Sequence, residues 1–196
     1  MRTEVSIPLE GRRLLVAVSG SIAAVKTPLL VSALVKAGAE VRCLVTPSAA
    51  KLVSPLALAS LSRHRCYTED DGWDSSCSRP LHIELAEWAE LVLLAPLSAT
   101  TLSRWSQGSA DGLLASVLLA CECPVLAAIA MNTAMWSHPA VQRNWQVVQT
   151  FPGVVPLMPQ PGLLACDRLG DGRMADPMLI ELAASSLFSR GDAGPV

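Results

Sequence analysis

The sequence predicts an α/β protein whose parallel sheet is doubly wound, with helices on both of its faces. Three observations support this class. The length of 196 residues suits one domain, short runs that are apolar at every position recur along the chain, and a helical pattern follows most of them. Strands that are apolar on both faces are typical of the centre of a parallel sheet. We therefore expect one Rossmann-like domain over residues 1–190, with a frayed tail at 191–196.

Each predicted element follows from a local pattern. The predicted strands are 14–18, 40–45, 91–95, 125–129 and 154–157. The last of them holds Pro156, which favours an edge position because proline cannot donate to the sheet. The predicted helices are 22–37, 49–61, 101–107, 112–120 and 139–149. The one long polar segment, 64–80, is predicted to be a loop or a flap.

Composition narrows the class of protein further. The chain is 51% hydrophobic and 16% charged, with a net charge of −2. This balance is apolar for a soluble protein, so we expect part of the surface to be covered by other subunits or by a cofactor. Because the sequence has no block of Lys and Arg, binding to nucleic acid has little electrostatic basis.

The sequence also indicates the cellular location of the protein and the chemical state of its cysteines. The N-terminal residues lack the apolar core of a signal peptide, and the six cysteines have no framework spacing, so we expect reduced thiols in the cytoplasm. Glu122 and Pro124 interrupt the most membrane-like stretch, 113–131, which therefore predicts a buried helix and a buried strand rather than a membrane span. Cys121 and Cys123 resemble half of a metal site, but without a second pair nearby we favour buried packing.

Small polar groups follow four of the predicted strands. Parallel sheets bind ligands beyond the carboxyl ends of their strands, so these groups are expected to converge. They are the turn at 19–21, the hydroxyls of Thr46 and Ser48, the segment PLSATT at 96–101 and the segment AMNTAMW at 130–136. These groups are hydroxyls and amides, and no cluster of acidic residues accompanies them. They therefore favour a site that binds an anionic group and a polar ring of a ligand over a site for a divalent metal. The turn at 19–21 lacks the G-x-G-x-x-G fingerprint, and alone it is equally compatible with a plain helix cap.

Two further residues carry candidate chemistry. His82 precedes an amphipathic helix in LHIELAEWAE, where it could act as a base near neutral pH or as a helix cap. His64 and His138 have no comparable neighbours and are expected to be structural. Cys166 lies in the segment GLLACDRLGDGRMADP, which is polar and rich in glycine. A segment this polar does not require a cysteine for packing, so Cys166 is a candidate for a chemical role.

These motifs, together with AVSGSIAA at 17–24, occur in an order that resembles the flavin-dependent cysteine decarboxylase family over residues 11–185. Within it they are most similar to the branch that acts on phosphopantothenoylcysteine in coenzyme A biosynthesis. The resemblance implies FMN bound at a contact between subunits of a homotrimer, which some members assemble into a homododecamer. It implies that the cofactor-binding residues are Gly20, Ser21, Thr46, Ser48, Ser98, Thr100 and Met131.

The resemblance also implies the reaction and the residues that perform it. Flavin would oxidise the substrate to a thioaldehyde, CO2 would leave, and reduced flavin would return its electrons to give phosphopantetheine. His82 would be the base, Asn132 would bind the substrate carboxylate, and Cys166 would donate a proton from a flap that closes over the substrate. The expected substrate-binding residues are Asn132, Met135, Ala165, Arg173 and Met174, with Arg173 a candidate for the substrate phosphate.

Three positions depart from the family pattern, and they leave the substrate open. Thr100 stands where the family has Asn, Ile129 where it has Pro, and Asp167 where it has Gly. The alternatives are a decarboxylase of another cysteine-terminal substrate, such as a peptide, and a non-catalytic FMN-binding regulatory subunit. Peptidyl-cysteine decarboxylases lack the flap cysteine, so Cys166 argues against the first. We expect no second domain after Val196, and we expect the synthetase that many bacteria fuse to this decarboxylase to be a separate chain.

Overall fold

A computed structural model of the chain describes residues 9–76, 78–163 and 169–191. Its main sheet has six parallel strands in the order β3-β2-β1-β4-β5-β6. They are β1 (Arg13–Val18), β2 (Glu40–Val45), β3 (Cys66–Tyr67), β4 (Leu91–Leu97), β5 (Val125–Ile129) and β6 (Val154–Leu157). The doubly wound class is confirmed, and the strand that holds Pro156 lies at an edge, as predicted.

Eight α-helices surround the sheet in the described part of the chain. They are α1 (Thr27–Lys36), α2 (Pro55–Ser62), α3 (Leu81–Trp88), α4 (Ala99–Ser106), α5 (Leu113–Ala120), α6 (Thr133–Trp136), α7 (Pro139–Gln149) and α8 (Pro177–Gly191). Short 3-10 helices occupy Ile22–Lys26, Ala49–Lys51 and Glu69–Trp73. None of the described helices is long and apolar enough to cross a membrane, and the stretch 113–131 contains α5 and β5, as predicted. The domain limits 1–190 and 191–196 remain a prediction, because residues 192–196 lie outside the described part.

The core has two layers, one on each face of the sheet. Leu14, Val16 and Val18 of β1 pack on the side of α1, α2 and α8. Leu15 and Ala17 point the other way and pack with α3, α4, α5 and α7. Successive side chains of a strand alternate between faces, so a strand covered on both sides must be apolar throughout. This explains why the apolar run of β1 was readable in the sequence.

Two predicted helices differ from the observed ones. The segment 22–37 is a 3-10 helix followed by α1, and the segment 49–61 is a 3-10 helix followed by α2. Both α-helices start with proline in the first turn, at Pro28 and Pro55. Proline is compatible with the first turn but removes a hydrogen bond deeper in a helix, so each helix restarts there.

The polar segment 64–80 is more structured than predicted. Cys66 and Tyr67 form β3, which pairs with Cys43 and Leu44 of β2. Glu69 then opens a 3-10 helix, and its carboxylate accepts a hydrogen bond from the backbone N–H of Leu113 at the start of α5. The prediction of a continuous loop was wrong here, because a strand of two residues shows no periodicity in the sequence.

A second, two-stranded sheet lies beside the main one. The strands β7 (Gln160–Leu163) and β8 (Leu169–Arg173) pair antiparallel. The sequence predicted a polar loop over this region. Residues 164–168 between the strands lie outside the described part of the chain.

Candidate functional site

The strand order reverses between β1 and β4, because the chain builds one half of the sheet outward through β2 and then crosses to the other side of β1. Such a reversal opens a crevice at the carboxyl ends of the strands. A cleft of about 620 Å³ lies there, and we call it the switch-point cleft. It brings together nine residues of the predicted site, namely Gly20, Ser21, Ser98, Thr100, Met131, Asn132, Met135, Arg173 and Met174.

Ser19 joins the ends of the two strands beside the cleft. Its hydroxyl donates a hydrogen bond to the carbonyl oxygen of Pro96 over 2.7 Å and accepts one from the backbone N–H of Ser98 over 2.8 Å. Ser19 is fully buried, so both bonds are shielded from water. They hold Ser98 at the cleft. The sequence analysis treated Ser19 only as part of a turn, since a bond between distant strand ends leaves no local signal.

Three polar side chains at the cleft cap the starts of helices. Ser21 accepts a hydrogen bond from the backbone N–H of Ala23 at 3.4 Å, and Ser98 accepts one from Thr101 at 3.4 Å. The Oδ1 of Asn132 accepts one from the backbone N–H of Ala134 at 2.8 Å. Helix starts gather backbone N–H groups that have no partner within the helix, so they favour negatively charged ligands.

Gly20 allows two loops to approach each other closely. A Cβ atom at this position would lie 2.5 Å from the Cβ of Ser48, which is too close for any side chain. Ser48 therefore lies directly against the turn after β1, and neither Ser48 nor Thr46 is among the described residues that line the cleft. The hydroxyl of Thr46 accepts a hydrogen bond from the backbone N–H of Ala49. Their predicted contact with a cofactor stays a prediction.

The hairpin strand β8 packs against the segment after β5. The backbone N–H of Met131 donates to the carbonyl oxygen of Gly172 over 3.0 Å. A Cβ on Gly172, whose φ is +149°, would lie 2.2 Å from the Met131 carbonyl oxygen, and a Cβ on Gly170 would lie 2.4 Å from Oγ1 of Thr133. Only glycine permits this approach, which brings Arg173 into the cleft wall.

The cleft carries positive charge. Lys26 and Arg173 line it, and none of its described lining residues is Asp or Glu. Arg173 donates to both carboxylate oxygens of Asp176, at 2.8 and 2.9 Å, and Nζ of Lys26 lies 3.4 Å from Oδ1. The bonds from Arg173, with Lys26 nearby, hold the pKa of Asp176 below its usual value although partial burial opposes this.

One polar atom in the cleft wall has no partner. The Nε–H of Arg173 is buried and makes no hydrogen bond within the described residues. A buried donor is normally satisfied, so this N–H is a natural partner for a ligand oxygen. With the helix starts and the two cations, it suits the cleft to an anionic ligand.

His82 lies apart from this cleft. It belongs to the first turn of α3, so the prediction that it precedes the helix was wrong by a few residues. It lines a second concavity of about 700 Å³, which we call the His82 groove. The groove is also lined by Glu69, Asp71, Trp73, Asp74, Arg79 and Asp111. Within one chain, His82 and Asn132 therefore do not share a pocket.

The other two histidines have structural contacts, as expected. Nδ1 of His138 accepts a hydrogen bond from the backbone N–H of Ala140 over 3.2 Å and so caps α7. Nε2 of His64 lies 3.9 Å from the carboxylate of Glu40. The predicted flap residues Ala165 and Cys166, and the departure Asp167, lie outside the described part of the chain.

The sequence analysis missed several cleft residues. Lys26 is one, although a lone cation within the apolar stretch SIAAVKTPLL was a possible signal. Ile22 and Val25 are others, and each is 54% exposed. Their spacing of three places them on one side of a helix, and the sequence alone does not show whether that side faces the core or a cleft.

The fold is that of a doubly wound α/β protein, and the cleft at its topological switch point is suited to an anionic ligand. A family model named Flavoprotein matches residues 2–183, and the chain belongs to this family. The resemblance found in the motifs is thereby confirmed.

Two curated relatives are informative. The coenzyme A biosynthesis bifunctional protein CoaBC of Bacillus subtilis is 40% identical over 188 residues, which cover 96% of this chain and 46% of that protein. The chain thus spans about half the length of the bifunctional relatives. A Streptococcus mutans protein named probable phosphopantothenoylcysteine decarboxylase is 40% identical over 171 residues, or 84% of this chain and 92% of that protein.

Two solved structures share the whole fold. A Cys-to-Ser mutant of PPC decarboxylase, complexed with pantothenoylaminoethenethiol, has a TM-score of 0.85 and 34% identity over 92% of this chain and 100% of its own. The FMN binding protein AtHal3 has a TM-score of 0.83 and 35% identity over 92% of this chain and 98% of its own.

Proposed function

We propose that the chain is an FMN-dependent carboxy-lyase that converts phosphopantothenoylcysteine to phosphopantetheine in coenzyme A biosynthesis. The observation that carries the proposal is the switch-point cleft. It combines helix starts, two cations and an unpartnered buried N–H, without an acid among its described lining residues, in a member of the Flavoprotein family. The named relatives and the FMN binding protein of similar structure support the same assignment.

The residues of the cleft fit FMN. Gly20, Ser21 and Ser98 would hold its phosphate, because they offer backbone and hydroxyl groups at helix starts. Met131 would pack along the flavin ring, and Thr100 would replace the family's amide with a single hydroxyl. When bound, FMN supplies the two-electron oxidation and reduction that a saturated cysteine carboxylate needs to lose CO2.

Asn132 is proposed to bind the substrate carboxylate. The bond from the Ala134 backbone N–H fixes the Oδ1 of its amide at the wall of the cleft. The amide nitrogen is the group proposed to donate to the substrate carboxylate, and none of the described lining residues of the cleft is an acid. Arg173 is proposed to bind the substrate phosphate, and Met135 and Met174 to pack against the pantothenoyl chain.

His82 is proposed to be the base and Cys166 the proton donor. Because His82 lies in its own groove, a neighbouring copy of the chain would have to present it to this cleft. Three apolar cleft residues support such a contact, since Ile22, Val25 and Met135 are 54%, 54% and 47% exposed. We therefore propose a homotrimer, or a dodecamer built from trimers, working in the cytoplasm.

The test is direct. The purified protein is checked for FMN by its absorption spectrum and incubated anaerobically with phosphopantothenoylcysteine, and the product is followed by mass spectrometry. We expect a product lighter by CO2 alone, and a product two hydrogens lighter still from Cys166→Ser. Cys43→Ser, which changes a buried core thiol, is the matched control and keeps the full reaction.

Two results would contradict the proposal. A protein that holds FMN but releases CO2 only from a peptide ending in cysteine would be a peptidyl-cysteine decarboxylase. A protein that holds FMN and acts on neither compound would be a binding subunit.

A further inference from the structure

The most exposed large apolar side chain of the described residues is that of Trp73, which is 84% exposed. By contrast, Trp105, Trp136 and Trp145 are buried in the core. Trp73 lines the His82 groove, and the proposed function gives it no role. Tryptophan is a large side chain that often anchors contacts between proteins, so its exposure beside a concave surface is typical of a contact with a partner.

The backbone that carries Trp73 is held in place by hydrogen bonds. Trp73 is the last residue of a 3-10 helix. In this helix the carboxylate of Asp71 accepts hydrogen bonds from the backbone N–H and the hydroxyl of Thr68, at 2.7 and 3.0 Å. The carboxylate of Glu69 accepts one from the backbone N–H of Leu113 over 2.9 Å, which ties the helix to the start of α5. A partner that covers the indole therefore does not have to order the backbone first.

The surface around Trp73 carries negative charge. Asp70 precedes it in the chain and Asp74 follows it, and both acids are exposed. Arg79, a cation that also lines the groove, is paired with Glu87. A surface complementary to this one would offer apolar side chains to the indole and a cation close to them.

The switch-point cleft has both properties. Ile22, Val25 and Met135 line it with exposed apolar side chains, and we call these three residues the apolar wall. Lys26 directly follows Val25 and lines the same cleft. Trp73 is not among the described residues that line the cleft, so a second copy of the chain would have to bring it there.

We propose that Trp73 of one copy packs against the apolar wall of a second copy and covers one side of its switch-point cleft. The inference rests on the proposed function, in which the His82 groove of one copy faces the cleft of another. Because Trp73 and His82 line the same groove, the contact that presents one of them to the cleft can present the other. Groove and cleft are different surfaces, so the contact is heterologous, and contacts of this kind close into rings such as the proposed trimer.

The first experiment locates the contact by photo-cross-linking in the full-length protein. Trp73→p-benzoylphenylalanine is purified with FMN, irradiated and separated on a denaturing gel, and the dimer band is digested with trypsin. We expect position 73 to be joined to the peptide 14–26, which carries Ile22 and Val25, or to the peptide 105–143, which carries Met135.

Leu119→p-benzoylphenylalanine is the matched control. Leu119 is apolar and 46% exposed, but it lies near the end of α5, which leads to the start of β5. The cleft lies at the carboxyl ends of the strands, so this position is at the opposite edge of the sheet. The control should give no cross-link to the peptide 14–26.

The second experiment measures what the indole contributes. Trp73→Ala should raise the protein concentration at which the oligomer dissociates by at least about tenfold, as measured by analytical ultracentrifugation, because interface tryptophans contribute strongly to binding. FMN binding should weaken in the same variant, since one side of the cleft loses its cover. Trp73→Phe keeps an aromatic ring and should lose less, and Leu119→Ala should match the unmodified chain. Circular dichroism should show an unchanged fold, because the indole lies outside the core.

Three results would overturn the inference. They are a dimer band without either expected cross-link, an oligomer that is equally stable in Trp73→Ala, and an unmodified chain that stays monomeric. Neither experiment uses the substrate, so the inference and the proposed function can fail separately. A chain that cross-links as expected but releases no CO2 from phosphopantothenoylcysteine would lose only the proposed function. A chain that releases CO2 but lacks both cross-links would lose only the inference.

Discussion

The two concave regions of the molecule are similar in size but opposite in charge. The switch-point cleft is lined by Lys26 and Arg173 and, among its described residues, by no acid. The His82 groove is lined by Glu69, Asp71, Asp74 and Asp111, with Arg79 as a cation. An anionic cofactor or substrate is attracted to the first region and repelled by the second. The residues predicted for one site therefore lie on two surfaces of the chain, with His82 in the groove and Asn132 in the cleft.

The acids of the groove already have structural partners. Glu69 accepts from the backbone N–H of Leu113, Asp71 pairs with Arg65, and Asp111 lies 3.1 Å from Arg104. They shape the region around α3 and the start of α5, where His82 is the proposed base. In the proposed trimer, the groove of one copy would lie against the cleft of another.

The largest effect is expected from replacing the proposed functional residue of each region, His82 in the groove and Asn132 in the cleft. His82→Asn should lower the turnover of phosphopantothenoylcysteine by about 10²–10⁴-fold, because a general base is lost, while FMN stays bound. Asn132→Asp should be similarly inactive, because a carboxylate there repels the substrate carboxylate. Aspartate is also a good helix cap, so α6 should still form. Turnover is measured by CO2 release and FMN content by absorption.

A mixture of the two inactive variants tests whether the groove of one copy serves the cleft of another. After dissociation and reassembly, some interfaces combine an intact groove with an intact cleft, so part of the activity should return. Unmixed His82→Asn taken through the same cycle is the control. If mixtures stay inactive although mixed oligomers form, the groove of one copy does not serve the cleft of another.

The hairpin that completes the cleft gives the next largest effect. In Gly172→Ala, the new Cβ would meet the Met131 carbonyl oxygen at a φ of +149°. We expect a loss of about 1–3 kcal/mol in the free energy of unfolding and weaker FMN binding, since Arg173 and Met174 would be displaced. Urea unfolding and FMN titration measure the two effects.

Gly108→Ala is the matched control for that substitution. Gly108 has a φ of +68° but no atom within 4 Å of an added Cβ, so it reports backbone strain without a clash. We expect a loss of about 1 kcal/mol and unchanged FMN binding. Equal losses in the two variants would mean that the close contact between β8 and Met131 is unimportant.

Strands that are buried on both faces were predicted from the sequence, whereas strands that depend on pairing with a neighbour were not. The strands β1 and β5 were found because each is covered on both faces and is therefore apolar, β1 from Leu14 onward and β5 at every position. The strand β3 has two residues and depends on pairing with β2. The strand β8 reads LGDGR, which has no strand propensity, and it forms because it pairs with β7 and packs on the segment after β5.

The site was predictable to the extent that it lies at strand ends. Ser21, Ser98 and Asn132 were found because parallel strands end at one edge, and the structure brings all three to one cleft. The separation of His82 from them was not foreseen, because no local pattern specifies how far apart two elements lie across a sheet. Lys26 was missed for a related reason, since its position depends on a 3-10 turn within a predicted helix.

The smallest effect is expected at the ion pairs that border the cleft. Asp176→Asn removes the carboxylate that binds Arg173 and Lys26, whose side chains are 36% and 34% exposed. Such exposed pairs contribute about 0–1 kcal/mol, so the free energy of unfolding at pH 7 should fall only slightly. Arg173 keeps its place in β8 but loses an internal competitor, so inorganic phosphate should bind a few-fold more tightly, as measured by calorimetry.

The pH dependence of that small effect identifies its cause. Arg173 lowers the pKa of Asp176 in the folded chain, so the folded state binds fewer protons than the unfolded state as the carboxyl titrates. The stabilisation is fully present above the unfolded pKa of about 3.9 and is lost as the pH falls through the lower, folded pKa. The gap between the unmodified chain and Asp176→Asn should therefore be present at pH 7 and close in strong acid. A gap that stays constant with pH would attribute the effect to packing around Asp176 rather than to its charge.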